Sequence, residues 1–116
     1  MKNDKKDGKG IFYLNDGDRY EGEYKNDKKD GKGIYFYHNG DRYEGLWKSG
    51  NRSHTGSYLY KNGDRYDGDW KNDKKDGKGI YYYHNGDRRM GNYFNDKPIG
   101  RHIILRSNGD VESTFY

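Results

Sequence analysis

Residues 25–45 read KNDKKDGKGIYFYHNGDRYEG, and residues 71–91 read KNDKKDGKGIYYYHNGDRRMG. Eighteen of these 21 positions are identical at an offset of 46. Half that offset, 23, registers the whole 116-residue chain without an insertion. Gly17, Gly40, Gly63, Gly86 and Gly109 fall in one column, each followed by Asp. Gly22, Gly45, Gly68 and Gly91 form a second, with Tyr24, Trp47, Trp70 and Tyr93 two residues later. Gly10, Gly33, Gly56 and Gly79 form a third. A fixed period with fixed residue types marks a repeat architecture in which each unit buries its surface against its neighbours.

The unit reads as a β-hairpin. Ile34-Tyr35-Phe36-Tyr37 and Arg42-Tyr43-Glu44-Gly45-Leu46-Trp47 are short and aromatic-rich, with few helix formers. His38-Asn39-Gly40-Asp41 lies between them, and Asn-Gly is a strong hairpin-turn signal. The polar stretch 25–31 is expected to form the other, longer connection. Stacked hairpins then give an all-β, single-layer antiparallel solenoid, an open half-pipe of 23-residue units. One domain over 1–116 is expected: a partial unit 1–19, repeats starting at 20, 43, 66 and 89, and a C-terminal cap over 99–116.

Composition explains what such a chain cannot be. Leu, Ile, Val and Phe number 15 and charged residues make up 36%, a balance that usually means disorder. Against it stand 14 Tyr, 2 Trp and 18 Gly with a single Pro. A conventional aliphatic core is ruled out, and zero Cys rules out a disulfide-stapled domain. No apolar run approaches the length of a membrane-spanning helix, and Met1 to Lys6 shows no signal-peptide pattern, so the expected compartment is the cytoplasm.

Tyr20-x-Gly22-x-Tyr24, then Gly31-Lys32-Gly33, then Asn39-Gly40 before the next start at Tyr43, resembles the MORN (membrane occupation and recognition nexus) repeat. Tyr43-x-Gly45-x-Trp47 and Tyr66-x-Gly68-x-Trp70 match its opening best. Departures from the pattern are Asn26-Asp27 and Asn72-Asp73 for the usual Asn-Gly, His54 for Gly, and Arg89 for the opening Tyr. The resemblance implies a non-catalytic scaffold or adaptor, associated with cytoskeleton, cilia or membranes.

Taken as a two-residue turn, Asn39-Gly40 sets Phe36 opposite Tyr43, Ile34 opposite Gly45 and Lys32 opposite Trp47. One face then collects the aromatics, and a longer turn would swap the faces. The expected protein-binding groove on that face comprises Tyr20, Tyr24, Phe36, Tyr43, Trp47, Tyr66, Trp70, Tyr82 and Tyr93. The same rings serve stacking between repeats.

The five segments 2–9, 25–32, 48–55, 71–78 and 94–101 together carry +9, and the remaining segments −5, of a net +4. The alternative function is therefore peripheral binding to anionic lipid, phosphoinositide included, through Lys28, Lys29, Lys74 and Lys75. Nucleic acid is not an expected partner. No catalytic residues, cofactor or metal are expected: the histidines are scattered, and Ser53-His54 has no third orienting group. The Asp column is read as serving the turns. In the last unit, Ile103, Leu105 and Tyr116 are expected on the aromatic face, with Ile104, Val111 and Phe115 on the other. A cap over the end of the stack is expected there, with an additional homodimer contact through Ile103, Leu105, Phe115 and Tyr116 as the alternative.

Overall fold

A computed structural model describes residues 7–14 and 16–116; the first six residues and Asn15, both in the partial unit 1–19, lie outside the described residues. Among the described residues there are ten strands and no helix: β1 (Gly8–Tyr13), β2 (Arg19–Lys25), β3 (Lys28–Phe36), β4 (Arg42–Lys48), β5 (Asn51–Leu59), β6 (Arg65–Lys71), β7 (Lys74–Tyr82), β8 (Arg88–Phe94), β9 (Lys97–Leu105) and β10 (Val111–Phe115). They form one antiparallel sheet in strict sequence order, open at β1 and β10. The molecule measures 61 × 24 × 19 Å, long in the stacking direction.

The two kinds of connection exchange the lengths expected of them. At His38-Asn39-Gly40 the connection has three residues, because only Gly40 is left-handed (φ 101). Gly40 N–H donates to Tyr37 O (3.0 Å), Tyr37 N–H to Asp41 O (3.0 Å), and Asp41 N–H to the Asn39 side chain (2.9 Å). This is a type I turn closed by a left-handed glycine. Conversely, Asn26 and Asp27 both take positive φ (50 and 67) and turn the chain in two residues, with Lys25 directly opposite Lys28. The polar stretch 25–31 is thus a tight turn followed by strand.

The longer Asn-Gly connection moves the register by one residue. Phe36 pairs with Arg42, Tyr35 with Tyr43, Ile34 with Glu44, Gly33 with Gly45, and Gly31 with Trp47. Side chains of paired residues share a face, so one residue of slip exchanges the faces of one strand. Tyr35 and Tyr37 therefore join Tyr43 and Trp47, while Phe36 and Tyr82 lie on the opposite face. There Arg19 covers Phe36 at 4.1 Å and Arg65 covers Tyr82 at 4.3 Å. The same slip corrects the last unit. Ile104 lies on the ring face with Tyr116, and Ile103 and Leu105 lie opposite with Val111 and Phe115.

The ring face is the core. Tyr20, Tyr43 and Tyr66 are fully buried, and Tyr24, Trp47, Trp70 and Tyr93 nearly so. Each tyrosine ring lies along the sheet over paired glycines; a Cβ at Gly33, Gly56 or Gly79 would fall on the hydroxyl of Tyr20, Tyr43 or Tyr66. Only glycine leaves that space. The Tyr20 hydroxyl donates to Glu23 O (3.0 Å) and that of Tyr43 to Leu46 O (3.2 Å). Trp47 Nε1 donates to Gly33 O (3.3 Å) and Trp70 Nε1 to Gly56 O (3.2 Å).

Edge-to-face contacts of 5.1–5.6 Å then run without a break from Tyr24 through Tyr20, Trp47, Tyr43, Trp70, Tyr66, Tyr93 and His102 to Tyr116. Each pair is worth roughly 0.5–1.5 kcal/mol beyond area burial, which lets a single layer hold itself together.

Candidate binding surface

A second row of rings lies beside the buried spine. Tyr35, Tyr37, Tyr58, Tyr60, Tyr81 and Tyr83 are each partly exposed. Their centroids follow one another at 4.5, 5.6, 4.7, 5.6 and 4.7 Å, a continuous ladder across three units. Sequence reasoning missed all six, because the two-residue turn placed them on the wrong face. The signal was the repeated Tyr-x-Tyr flanking Phe36, Leu59 and Tyr82.

The Asp column holds the ladder in place. The hydroxyls of Tyr35, Tyr58 and Tyr81 donate to Asp18, Asp41 and Asp64 of the preceding unit at 2.6, 2.8 and 2.8 Å. The other carboxylate oxygen accepts the backbone N–H of His38, Lys61 or His84 (2.7, 2.9 and 2.8 Å). Asp87 repeats the pattern with Arg106 and Ser107. These aspartates thus tie successive units together besides serving their own turns. Burial pushes the Asp18 carboxyl up, but the bonds from Tyr35 and His38 outweigh it and hold it below the ordinary 3.8. His38 Nδ1 sits 2.8 Å from Asp18 Oδ1, and this contact raises its pKa.

Cations lie over the rings. Lys29 Nζ is 5.3 Å from both Tyr35 and Trp47, Arg52 Cζ is 4.6 Å from Trp70, and Lys75 Nζ is 4.8 Å from Tyr66. Arg52 is further held by Asp73 at 2.7 Å. Burial pushes the amines of Lys29 and Lys75 below the usual lysine value.

The residues singled out in the sequence therefore separate into groups. Tyr20, Tyr24, Tyr43, Trp47, Tyr66, Trp70 and Tyr93 form the interior spine, whereas Phe36 and Tyr82 lie across the sheet from it. Lys29 and Lys75 cover rings, while Lys28 and Lys74 are exposed at the tight turns. Lys25, Lys48, Lys71 and Lys97 are exposed along the same rim. Phe94, 62% exposed, occupies the position that Lys25, Lys48 and Lys71 hold in the other turns. Phe115 is 75% exposed, and Tyr116 packs on His102 at 5.1 Å.

The face opposite the rings carries an open furrow of about 860 Å³ across β2 to β6. Its floor is the backbone of Gly33, Gly45, Gly56 and Gly68, and Glu21, Glu44 and Asp67 stand along it. Each of these acids is paired with Arg19, Arg42 or Arg65 at 3.0–3.2 Å.

Among the described residues, two constellations of possible chemistry are present. Asp16, Asp18 and His38 bring ligand atoms within 4.8 Å, but both Asp18 oxygens already accept hydrogen bonds. Ser53 Oγ lies 3.1 Å from Nδ1 of the exposed His54, and no carboxylate among the described residues is seen bonded to that ring. Among the described residues, no helix is long and apolar enough to cross a membrane.

A search of curated proteins returns no match. The family model of the MORN repeat matches residues 1–19, 20–42, 43–65 and 66–88 in succession. Those consecutive matches cover most of the sheet in which each tyrosine lies on the glycines of a 23-residue unit, and the chain belongs to the MORN repeat family.

Proposed function

We propose that this module is a scaffold that holds a segment of a partner protein against the tyrosine ladder. The MORN repeat is a non-enzymatic repeat type associated with protein- and membrane-binding scaffolds. The observation that carries the reading is the continuous row Tyr35, Tyr37, Tyr58, Tyr60, Tyr81 and Tyr83, each partly exposed beside the buried spine. Rigid rings with a polar tip give large contact area at little entropic cost. Lys29, Arg52 and Lys75 beside the row favour a partner segment carrying acidic as well as apolar side chains. The seven spine aromatics act indirectly, by fixing the sheet on which the ladder stands.

A photo-crosslinking residue at Tyr60 tests this reading against the same residue at Thr55, on the furrow face. The expected result is a discrete crosslinked polypeptide from Tyr60 alone, lost when Tyr37 and Tyr83 are changed to Ala with the fold intact by circular dichroism. Equal crosslinking from Thr55 contradicts it.

A second reading rests on the rim. Lys25, Lys28, Lys48, Lys71, Lys74 and Lys97 project there with Phe94, a basic row ending in an exposed ring. Each such cation near an anionic leaflet is worth about 1 kcal/mol. This reading predicts co-sedimentation with anionic vesicles that falls steeply between about 50 and 300 mM salt, as exposed charges are screened. Lys28→Glu with Lys74→Glu should abolish it, and no sedimentation at low salt excludes it.

A further inference from the structure

The chain offers an oxidant few of the usual targets. It has no cysteine and two methionines, the sulfur side chains on which protein oxidation commonly falls, against 14 tyrosines. Six of those tyrosines form the ladder, and within it the rings sit in close pairs. Tyr35 and Tyr37 have centroids 4.5 Å apart, Tyr58 and Tyr60 4.7 Å, and Tyr81 and Tyr83 4.7 Å, each pair tilted by 44–50°. At that separation the ring edges touch.

One tyrosine of each pair also has a proton acceptor in place. Asp18, Asp41 and Asp64 stand 2.6–2.8 Å from the hydroxyls of Tyr35, Tyr58 and Tyr81, within reach for direct proton transfer. Burial first, and then the bond to aspartate, pushes these three phenols above their ordinary 10, so they stay protonated. A neutral phenol that gives up an electron must shed its proton, and the aspartate is placed to take it. The other ring of each pair, Tyr37, Tyr60 or Tyr83, is partly exposed and has water to receive its own.

We propose that the ladder is a site of oxidative coupling, at which Tyr35–Tyr37, Tyr58–Tyr60 and Tyr81–Tyr83 join as dityrosine under a one-electron oxidant, a haem peroxidase with hydrogen peroxide. The oxidant takes one electron from each ring of a pair, and the phenolic protons pass to the aspartate and to water. The two radicals form a carbon–carbon bond between ring positions ortho to the hydroxyls. Both ortho C–H bonds then break, and both oxygens are reprotonated. In sum, two tyrosines lose two electrons and two protons, and one hydrogen peroxide takes them up to become two waters. Rings already in contact couple ahead of tyrosines on separate molecules, because their effective concentration far exceeds that of a dilute chain. The product fuses the row into rigid pairs that keep their hydroxyls.

Treatment of the dilute full chain with a haem peroxidase and hydrogen peroxide, followed by peptide mapping, tests this. Cleavage after Lys and Arg leaves each pair within one peptide: 33–42, 53–61 and 79–88. The expected product is a monomer with dityrosine fluorescence in which each of these peptides is lighter by two hydrogen atoms. Tyr60→Phe keeps the ring without its hydroxyl and should abolish the loss in 53–61 alone. Asp41→Asn keeps an acceptor for the Lys61 N–H but takes away the base at Tyr58. It should lower the yield in 53–61 several-fold, with the other two peptides as standards in the same molecule. That yield should recover as pH rises towards the phenol's own pKa, where no base is needed; a merely structural loss would not recover. Tyr13, 77% exposed and outside the ladder, controls for accessibility. Links chiefly through Tyr13, or only between chains, overturn the proposal, as does a 53–61 yield indifferent to Tyr60→Phe or to Asp41→Asn.

Discussion

The interior units and the last unit solve the same packing problem with opposite residues. In the interior, the ring comes from the first strand of the pair and glycine waits on the next: Tyr20 over Gly33, Tyr43 over Gly56, Tyr66 over Gly79. In the last unit the first strand carries Arg89 and the next carries His102, where the others have glycine. His102 is fully buried and lies over Gly91. Its Nε2 lies 2.8 Å from Asn92 O, the acceptor three residues beyond position 89, as Glu23 O and Leu46 O are for Tyr20 and Tyr43. It contacts Tyr93 edge-to-face at 5.2 Å, as Tyr66 does at 5.3 Å. The displaced cation is not wasted. Arg89 approaches the rings of Tyr81 and Tyr116 and donates to the Tyr93 and Tyr116 hydroxyls (both 3.2 Å), taking over from the Lys29, Arg52 and Lys75 column, which continues as Pro98. What the fold requires is one ring in each slot, from either strand.

The largest effect should come from filling an interior slot twice. Gly56→Ala sets a methyl on the Tyr43 hydroxyl and forces the ring off the sheet, at a cost of about 3 kcal/mol in urea unfolding. At position 102 the opposite change is the damaging one: His102→Gly empties the slot and should cost about 2 kcal/mol.

Cutting a tie between units comes next. Asp41→Ala removes the acceptor of Tyr58 and of the Lys61 N–H. The expected loss is about 1–2 kcal/mol, with faster hydrogen exchange in the turn at Lys61.

A smaller effect has the opposite sign. His54 occupies the left-handed bulge position (φ 61) that Gly31, Gly77 and Gly100 fill in their units. Left-handed backbone costs a side-chain-bearing residue roughly 1–2 kcal/mol, so His54→Gly should raise the urea midpoint by the equivalent of about 1 kcal/mol. An unchanged midpoint would mean that the Ser53 contact offsets the strain.

The smallest effect concerns pH. The His38 pKa is raised in the folded chain by its contact with Asp18. Its contribution is therefore complete below the ordinary imidazole value of 6.5 and is lost as pH rises through the higher folded value. His38→Ala should flatten that slope in thermal melts while leaving Asp18 bonded to Tyr35.

The period, the single layer and the antiparallel order were legible because glycine, aspartate and aromatic columns repeat every 23 residues. The faces were not, because Asn-Gly can close either a two- or a three-residue connection, and one residue decides which side Tyr35 takes. Phe36 and Tyr82 were thus exchanged for the ladder tyrosines. Nor did the sequence separate Lys28 from Lys29: adjacent in the chain, they project to opposite faces, one into solvent and one onto Trp47. His102 went unnoticed because a lone histidine gives no sign that it fills the place of a ring from another strand.

The most direct test is a double-mutant cycle at positions 89 and 102, read by urea unfolding. Arg89→Tyr alone should crowd the slot and His102→Gly alone should empty it, each destabilising. Together they rebuild an interior unit, and the double variant should recover most of the loss, a coupling of about 2 kcal/mol. Losses that simply add would contradict the one-ring-per-slot packing on which the sheet is built.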